Sequence, residues 1–227
     1  MKNYRSDEIQ KRMIANNLLH PLDVLLVGAT GTGKSTTLNA LFGSTVAKVG
    51  EGVNPETQKI SSHQLHDFLR IHDSAGLGDG KAADHEHSKN ITAELLKTIT
   101  VDGQHNGFMD IAMILLDGGS RDMGTAFRLL ETVVLQSIEP HRVIVAINQA
   151  DMGMSGRSWN KQLDKPEPPL IDFLEEKTLS VQKRIKESTG LTINRPIYYS
   201  AKFNYNIPVF IDHIIKHLPT SRRTITK

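Results

Sequence analysis

Eight consecutive residues, Gly28-Ala29-Thr30-Gly31-Thr32-Gly33-Lys34-Ser35, have the types and spacing that hold phosphate groups. An apolar run from Leu22 to Val27 precedes them, and Leu38, Leu41 and Phe42 follow at helical spacing. The pattern G-x-x-x-x-G-K-[ST] between a strand and a helix is a phosphate-binding turn. Phosphate oxygens crowd against the main chain, so the turn must present backbone N–H groups without side chains in the way, which Gly28, Gly31 and Gly33 permit. A helix starting near Lys34 points its positive end at the same oxygens. The Lys34 ammonium reaches the β- and γ-phosphates, and the Ser35 hydroxyl can ligate Mg²⁺. Thr30, Thr32 and Thr36 complete the nucleotide-contacting set of this turn. A dinucleotide-binding glycine turn fits less well. Such a turn wants a third small residue where Lys34-Ser35 stand, and an acidic residue closing a strand about 20 residues on.

Three further constellations bear on the same chemistry. Asp73-Ser74-Ala75-Gly76 is D-x-x-G after an apolar stretch, an arrangement in which Asp73 holds Mg²⁺ and the Gly76 N–H meets the γ-phosphate. D-x-x-G alone is common; its distance from the phosphate turn gives it weight. Asn148-Gln149-Ala150-Asp151 closes the apolar run Val143 to Ile147 and is close to the N-K-x-D signature of guanine readers. The Asp151 carboxylate can accept hydrogen bonds from guanine N1–H and N2–H₂. Adenine lacks that donor pair and would leave a buried carboxylate unpaired. Asn148 would tie the base to the neighbouring loops. The plainer alternative is a polar loop after a strand. Ser200-Ala201-Lys202 follows a last strand, Arg195 to Tyr199, and would offer the Ala201 N–H to guanine O6.

The elements that must position these residues are an α/β alternation. Residues 58–65 and 67–73 are so close that they are expected to form an antiparallel hairpin. Ile111 to Leu116 and Val143 to Ile147 are continuous apolar runs, as in buried parallel strands. Helical stripes are expected at 86–100 (Ile91, Leu95, Ile99), at Ala126 to Val134, at Leu170 to Ile185, and at Ile207 to Leu218, the last capped by Asn206. Residues 44–57 and 77–90 are expected to be mobile loops. Residues 3–19 should form a packing helix with Tyr4, Ile9, Met13 and Leu18 on one side. The domain organisation expected is a helical extension at 1–19, a nucleotide-binding domain at 20–218 with an insertion at about 152–190, and a basic, solvated tail at 219–227. Trp159, the only tryptophan, should pack the inserted loop down.

With 227 residues the chain can bury a real core, and a net charge of +2 carries no global signature of a nucleic-acid binder. There is no cysteine, which excludes disulfides and fits a reducing cytosol, so the expected location is cytoplasmic. The opening residues lack the apolar core of a signal peptide, and no run is long enough to span a membrane. The ten histidines scatter without a zinc-ligand pattern.

Taken together, GATGTGKS, DSAG, NQAD and SAK stand in one order, each after a predicted strand. In this the chain resembles the translation-factor-related GTPases, and among them the Era/TrmE-like bacterial group. The PETQ stretch, the GRSW…KPEPP insertion and the VQKRIKESTG…RPIYYSAK run are most similar to its little-characterised Era-like members. The resemblance covers about residues 20–218. It implies a three-layer P-loop GTPase domain, with a six-stranded, mostly parallel sheet and helices on both faces. It also implies GTP or GDP as ligand with Mg²⁺, and Thr57 as the switch threonine on Mg²⁺ and the γ-phosphate. Lys34, Thr57 and Gly76 would then act at the reacting phosphate, and Ser35, Thr57 and Asp73 at the metal.

Three departures shape the expectation. Gln149 replaces the usual Lys, whose stem packs along the base and ties to the phosphate turn; Gln should do this less well. Leu77 stands where many small GTPases carry a water-orienting Gln, so hydrolysis should be slow unless an activator or a homodimer partner supplies a group. Arg121 is a donor candidate in cis, though a solvated surface arginine is the simpler reading. Gly31 occupies the position of the asparagine linked to potassium stimulation. The nucleic-acid module that follows the domain in Era has no counterpart, so RNA binding is not inherited. Two other readings remain open: a nucleotide-gated binding module with negligible hydrolysis, and a P-loop ATPase.

Overall fold

The computed structural model describes residues 1, 3–46, 61–74, 81–120, 124–223 and 225. Thr57, Gly76, Leu77, Arg121 and the PETQ stretch lie outside the described residues.

Helix α1 (Ser6–Ala15) leads into strand β1 (Leu22–Val27), the phosphate turn and helix α2 (Lys34–Phe42). Gly43, at φ 65°, ends α2. Strands β2 (Ser61–His66) and β3 (Leu69–Asp73) form the expected antiparallel pair. Next come α3 (Lys81–Leu95), a hairpin of β4 (Thr98–Val101) and β5 (Gln104–Gly107), and β6 (Ile111–Asp117). Helix α4 (Gly124–Leu129) continues as a π-helical turn, Leu130–Val134, before β7 (Val143–Asn148). A small antiparallel pair, β8 (Trp159–Asn160) and β9 (Lys165–Pro166), and the long α5 (Pro168–Thr189) follow. Strand β10 (Ile197–Tyr198) and α6 (Ile207–Lys216) complete the fold.

The main sheet runs β10-β7-β6-β1-β3-β2, parallel except for β2. Strands β1, β6 and β7 bury apolar side chains on both faces, and alternation splits the core into two halves. Val24 and Leu26 of β1 join Ile9, Met13, Leu38 and Phe210 beneath α1, α2 and α6. Leu25 and Val27 join Ile91, Leu95, Leu129, Val181 and Ile185 beneath α3, α4 and α5. The result is the expected three-layer α/β architecture. The N-terminal helix packs as expected. Arg12 donates to Ile215 O at 2.9 Å and Asn16 to Pro219 O at 2.8 Å. Trp159 is buried against Phe203 and Tyr205. No helix among the described residues is long and apolar enough to cross a membrane.

Four expectations are corrected. The helix placed at 86–100 begins at Lys81 and ends at Leu95, so residues 81–90 are helical rather than a loop. Ile99 belongs to the β4–β5 hairpin, because Asp102 (φ 52°) and Gly103 (φ 76°) make a two-residue turn with both φ values positive. Asn206 sits at the start of α6, but its side chain donates to Tyr198 O at 3.2 Å and caps nothing. The C-terminal segment is not simply solvated: Arg223 is 5% exposed and donates to Leu95 O and Ser137 O.

Candidate functional site

Parallel strands deliver their C-terminal ends to one sheet edge, where helix N-termini and loops gather. The turn joining β1 to α2 lies there. A Cβ on Gly28 would come within 2.7 Å of Leu115 O and 2.8 Å of Thr32 Oγ1, so only glycine fits beside β6. Gly31 and Gly33 both take φ +82°, the left-handed region that glycine enters freely. Lys34 is 7% exposed, and its ammonium donates to Gly28 O (3.1 Å) and Ala29 O (3.2 Å). Thr32 is buried with its hydroxyl on Ala29 O, whereas Thr30 is exposed and Thr36 half-buried.

At the end of β3, Asp73 is 1% exposed and accepts the Ser35 hydroxyl at 2.9 Å through Oδ2. Its other oxygen, Oδ1, is buried with no hydrogen-bond partner among the described residues. Burial raises the Asp73 carboxyl above its ordinary range, while the Lys34 charge and the Ser35 hydrogen bond pull it down. An orphaned carboxylate oxygen beside the hydroxyl of Ser35, the residue that follows Lys34, is a donor set that a hard divalent cation such as Mg²⁺ fits.

The loop after β7 closes the other side. The Asn148 Nδ2 donates to Thr32 O (2.9 Å) and its Oδ1 accepts the Ala201 N–H (3.0 Å), so one side chain joins the phosphate turn to the Ser-Ala-Lys loop. The Ala201 N–H expected to face a base is therefore engaged by Asn148 here. Gln149, at φ 58°, donates from Nε2 to Gly31 O at 2.5 Å. The tie to the phosphate turn expected to weaken without a lysine is made. Asp151 is 5% exposed and accepts the Ser200 hydroxyl at 2.6 Å through Oδ1. Lys202 is exposed, with its ammonium 5.2 Å from the centre of the Phe203 ring.

The structure thus brings together the described candidates of all four motifs. It adds one contact that the sequence reading missed: fully buried Tyr199 meets the Thr37 hydroxyl at 2.8 Å, and Thr37 also donates to Gly33 O at 2.8 Å. A tyrosine just before Ser-Ala-Lys was visible, but no local pattern pairs it with a residue 162 positions away.

A family model described as 50S ribosome-binding GTPase matches residues 23–149, just over half the chain. No curated protein sequence matches. Among solved structures, Toc33 from Arabidopsis thaliana in complex with Mg²⁺ and GMPPNP is similar at TM-score 0.66 and 14% identity, covering 100% of this chain and 97% of that one. Aquifex aeolicus Era bound to GDP and AlF₄⁻ is similar at TM-score 0.51 and 19% identity, over 87% of this chain and 56% of that one. A probable GTP-binding protein EngB gives 0.50 at 22% identity, over 86% and 97%. At such identities these likenesses show the fold.

Proposed function

Because this chain belongs to the family of 50S ribosome-binding GTPases, we propose that it is a Mg²⁺-dependent cytoplasmic GTPase that turns over slowly alone and acts as a nucleotide-dependent switch. The observation that carries this reading is Asn148, whose side chain holds the phosphate turn and the Ser-Ala-Lys loop on either side of one strand end. In this reading Asp151 accepts from guanine N1–H and N2–H₂, and Ser200 holds the carboxylate in place. Gly28, Gly31 and Gly33 let the backbone approach the phosphates. Their oxygens would replace the Gly28 and Ala29 carbonyls as acceptors of the Lys34 ammonium. Ser35, Thr57 and Asp73 would hold Mg²⁺, which when bound would neutralise charge on the β- and γ-phosphates. Gly76 would donate to the γ-phosphate. Water attacks that phosphorus and GDP leaves, with catalysis by positioning and charge stabilisation.

Leu77 offers no hydrogen bond to a water, which supports slow turnover and placement with the Era/TrmE-like group. The missing group would come from an activator or a second copy of the chain. For chloroplast translocon components, dimerization is important for GTPase activity. The switch segments in this reading are residues 44–57 and those from Gly76 to the start of α3. In this reading residues 20–218 bind the nucleotide, with α1 and the segment through Arg223 packed against them. Ribosome binding is not part of the proposal, since a net charge of +2 gives no footprint for RNA.

Leu77 also favours a second reading, a nucleotide-gated binding module with negligible hydrolysis of its own. Phosphate release from GTP and from ATP, with Mg²⁺ and with chelator, separates these readings. The proposal expects slow, Mg²⁺-dependent release from GTP alone. Tight GTP binding with no release would favour the gated module, and equal release from ATP would reject guanine specificity.

A further inference from the structure

Behind the Asn148–Met152 loop lies the turn that follows β6. The Gly118 N–H donates to Asn148 O at 2.7 Å. A Cβ on Gly118 would sit 2.5 Å from Gln149 O, and one on Gly119 would sit 3.0 Å from the Met152 Cβ. The two backbones are therefore in direct contact, and any shift of the turn moves the loop that carries Asp151. This turn exposes its carbonyls in one direction, and a single side chain collects them. Lys177, on α5, donates from Nζ to Asp117 O (3.2 Å), Gly118 O (2.5 Å) and Ser120 O (2.8 Å).

All three ammonium hydrogens are thus committed to one turn. The side chain is half-buried, and its charge is 5.9 Å from the centre of the Phe173 ring, one helical turn earlier. The same face of α5 also backs the far end of the loop: a Cβ on Gly153 would come within 2.7 Å of Leu170 Cδ1. The Asp151 segment is consequently held on three sides. Gln149 and Asn148 tie it to the phosphate turn, α5 packs against Gly153, and Lys177 fixes the glycine turn at its back.

We propose that Lys177 is a positioning residue for guanine discrimination, holding the Asp117–Ser120 turn so that Asp151 keeps its place. The inference rests on Asp151 being the guanine acceptor. A lysine that merely braced a surface turn would change thermal stability but not the preference between bases. Inosine diphosphate is the informative probe. It keeps N1–H but lacks the exocyclic N2 amino group, so the ratio of GDP to IDP affinity reports how well the carboxylate is placed.

The experiment measures GDP, IDP and ADP affinities, with melting temperature, for the wild type, Lys177→Met and Lys183→Met. Lys183 lies on the same helix with its side chain 76% exposed, away from the turn. Losing charged hydrogen bonds at the turn should narrow the GDP-to-IDP ratio by about tenfold in Lys177→Met. Lys183→Met should leave it as in the wild type. If Lys177→Met does not fold, Lys177→Gln, which keeps donors without the charge, is expected to narrow the same ratio. An unchanged ratio in a folded Lys177 variant overturns the proposal, whatever happens to the melting temperature. A wild type that binds ADP as well as GDP overturns the guanine reading itself, a failure visible before any variant is compared.

Discussion

At residue scale, Asn148 serves two loops with one amide. Its nitrogen satisfies the Thr32 carbonyl and its oxygen satisfies the Ala201 N–H, all in a place where Asn148 is 1% exposed. Replacing it leaves two backbone groups without partners and frees both loops. Asn148→Ala is expected to weaken GDP binding by about tenfold to a hundredfold in a fluorescence titration; affinity unchanged from wild type would contradict the linking role. The identity of such residues was legible, because phosphate and base chemistry restrict residue types. Ser35 and Asp73, named from separate motifs, meet at 2.9 Å. What a side chain does in the assembled site was less legible. Gln149 reaches Gly31 O, since its left-handed backbone aims the shorter amide at the turn. Neither that backbone angle nor the pairing of Tyr199 with Thr37 has a local signature.

At the scale of elements, the end of the sheet opposite the candidate site holds a buried charge cluster. Asp23 on β1 accepts Arg70 through both oxygens, at 2.5 and 2.9 Å, and meets the His72 ring at 2.7 Å. Asp110, just before β6, accepts the Asp23 N–H at 2.9 Å. Burial pushes its carboxyl up from 3.8 to about 7, with the Asp23 charge adding to that, while the Asp23 N–H bond and the charges of Arg142 and Arg223 oppose it. A raised carboxylate pKa means that the folded chain holds a proton the unfolded chain has released. The stability from this group is therefore full below about pH 4 and is lost as pH rises through about 7. Between about pH 5.5 and pH 8 the loss should be about 2 kcal/mol. Asp110→Asn keeps the acceptor and removes the titration. Denaturant unfolding at both pH values should show a flatter dependence in the variant, and parallel dependences would contradict the assignment.

The same cluster shows why elements near it were misread. Arg223 looked like part of a solvated basic tail. Its partners, the carbonyls of Leu95 and Ser137, are helix and turn ends far away in sequence. The tail backbone also pairs with β5, where Gly107 N–H donates to Arg223 O at 2.6 Å and Ile225 N–H to His105 O at 3.0 Å. The β4–β5 hairpin was misread as the end of a helix although its residues carry a strand signal. Thr98, Ile99, Thr100 and Val101 are strand formers ahead of Asp-Gly, but Ile99 also fitted a helical stripe with Ile91 and Leu95.

For the whole molecule, the mostly parallel sheet and the two half-cores follow from continuous apolar runs separated by amphipathic helices. That is why the architecture could be read before the contacts. The sheet then gathers distant motifs at one edge, and the central claim is that this edge selects guanine through Asp151. The most direct test exchanges acceptor for donor. The Asp151→Asn substitution offers an amide N–H where the carboxylate offered oxygen, which suits the C2 carbonyl of xanthine and opposes the N2 amino group of guanine. GDP, xanthosine diphosphate and ADP would be titrated against the wild type and Asp151→Asn by calorimetry. The predicted result is a wild type that prefers GDP and a variant whose preference inverts towards xanthosine diphosphate, with ADP weak in both. A variant with the same order of preference as the wild type, or a wild type that binds ADP as tightly as GDP, would contradict the account.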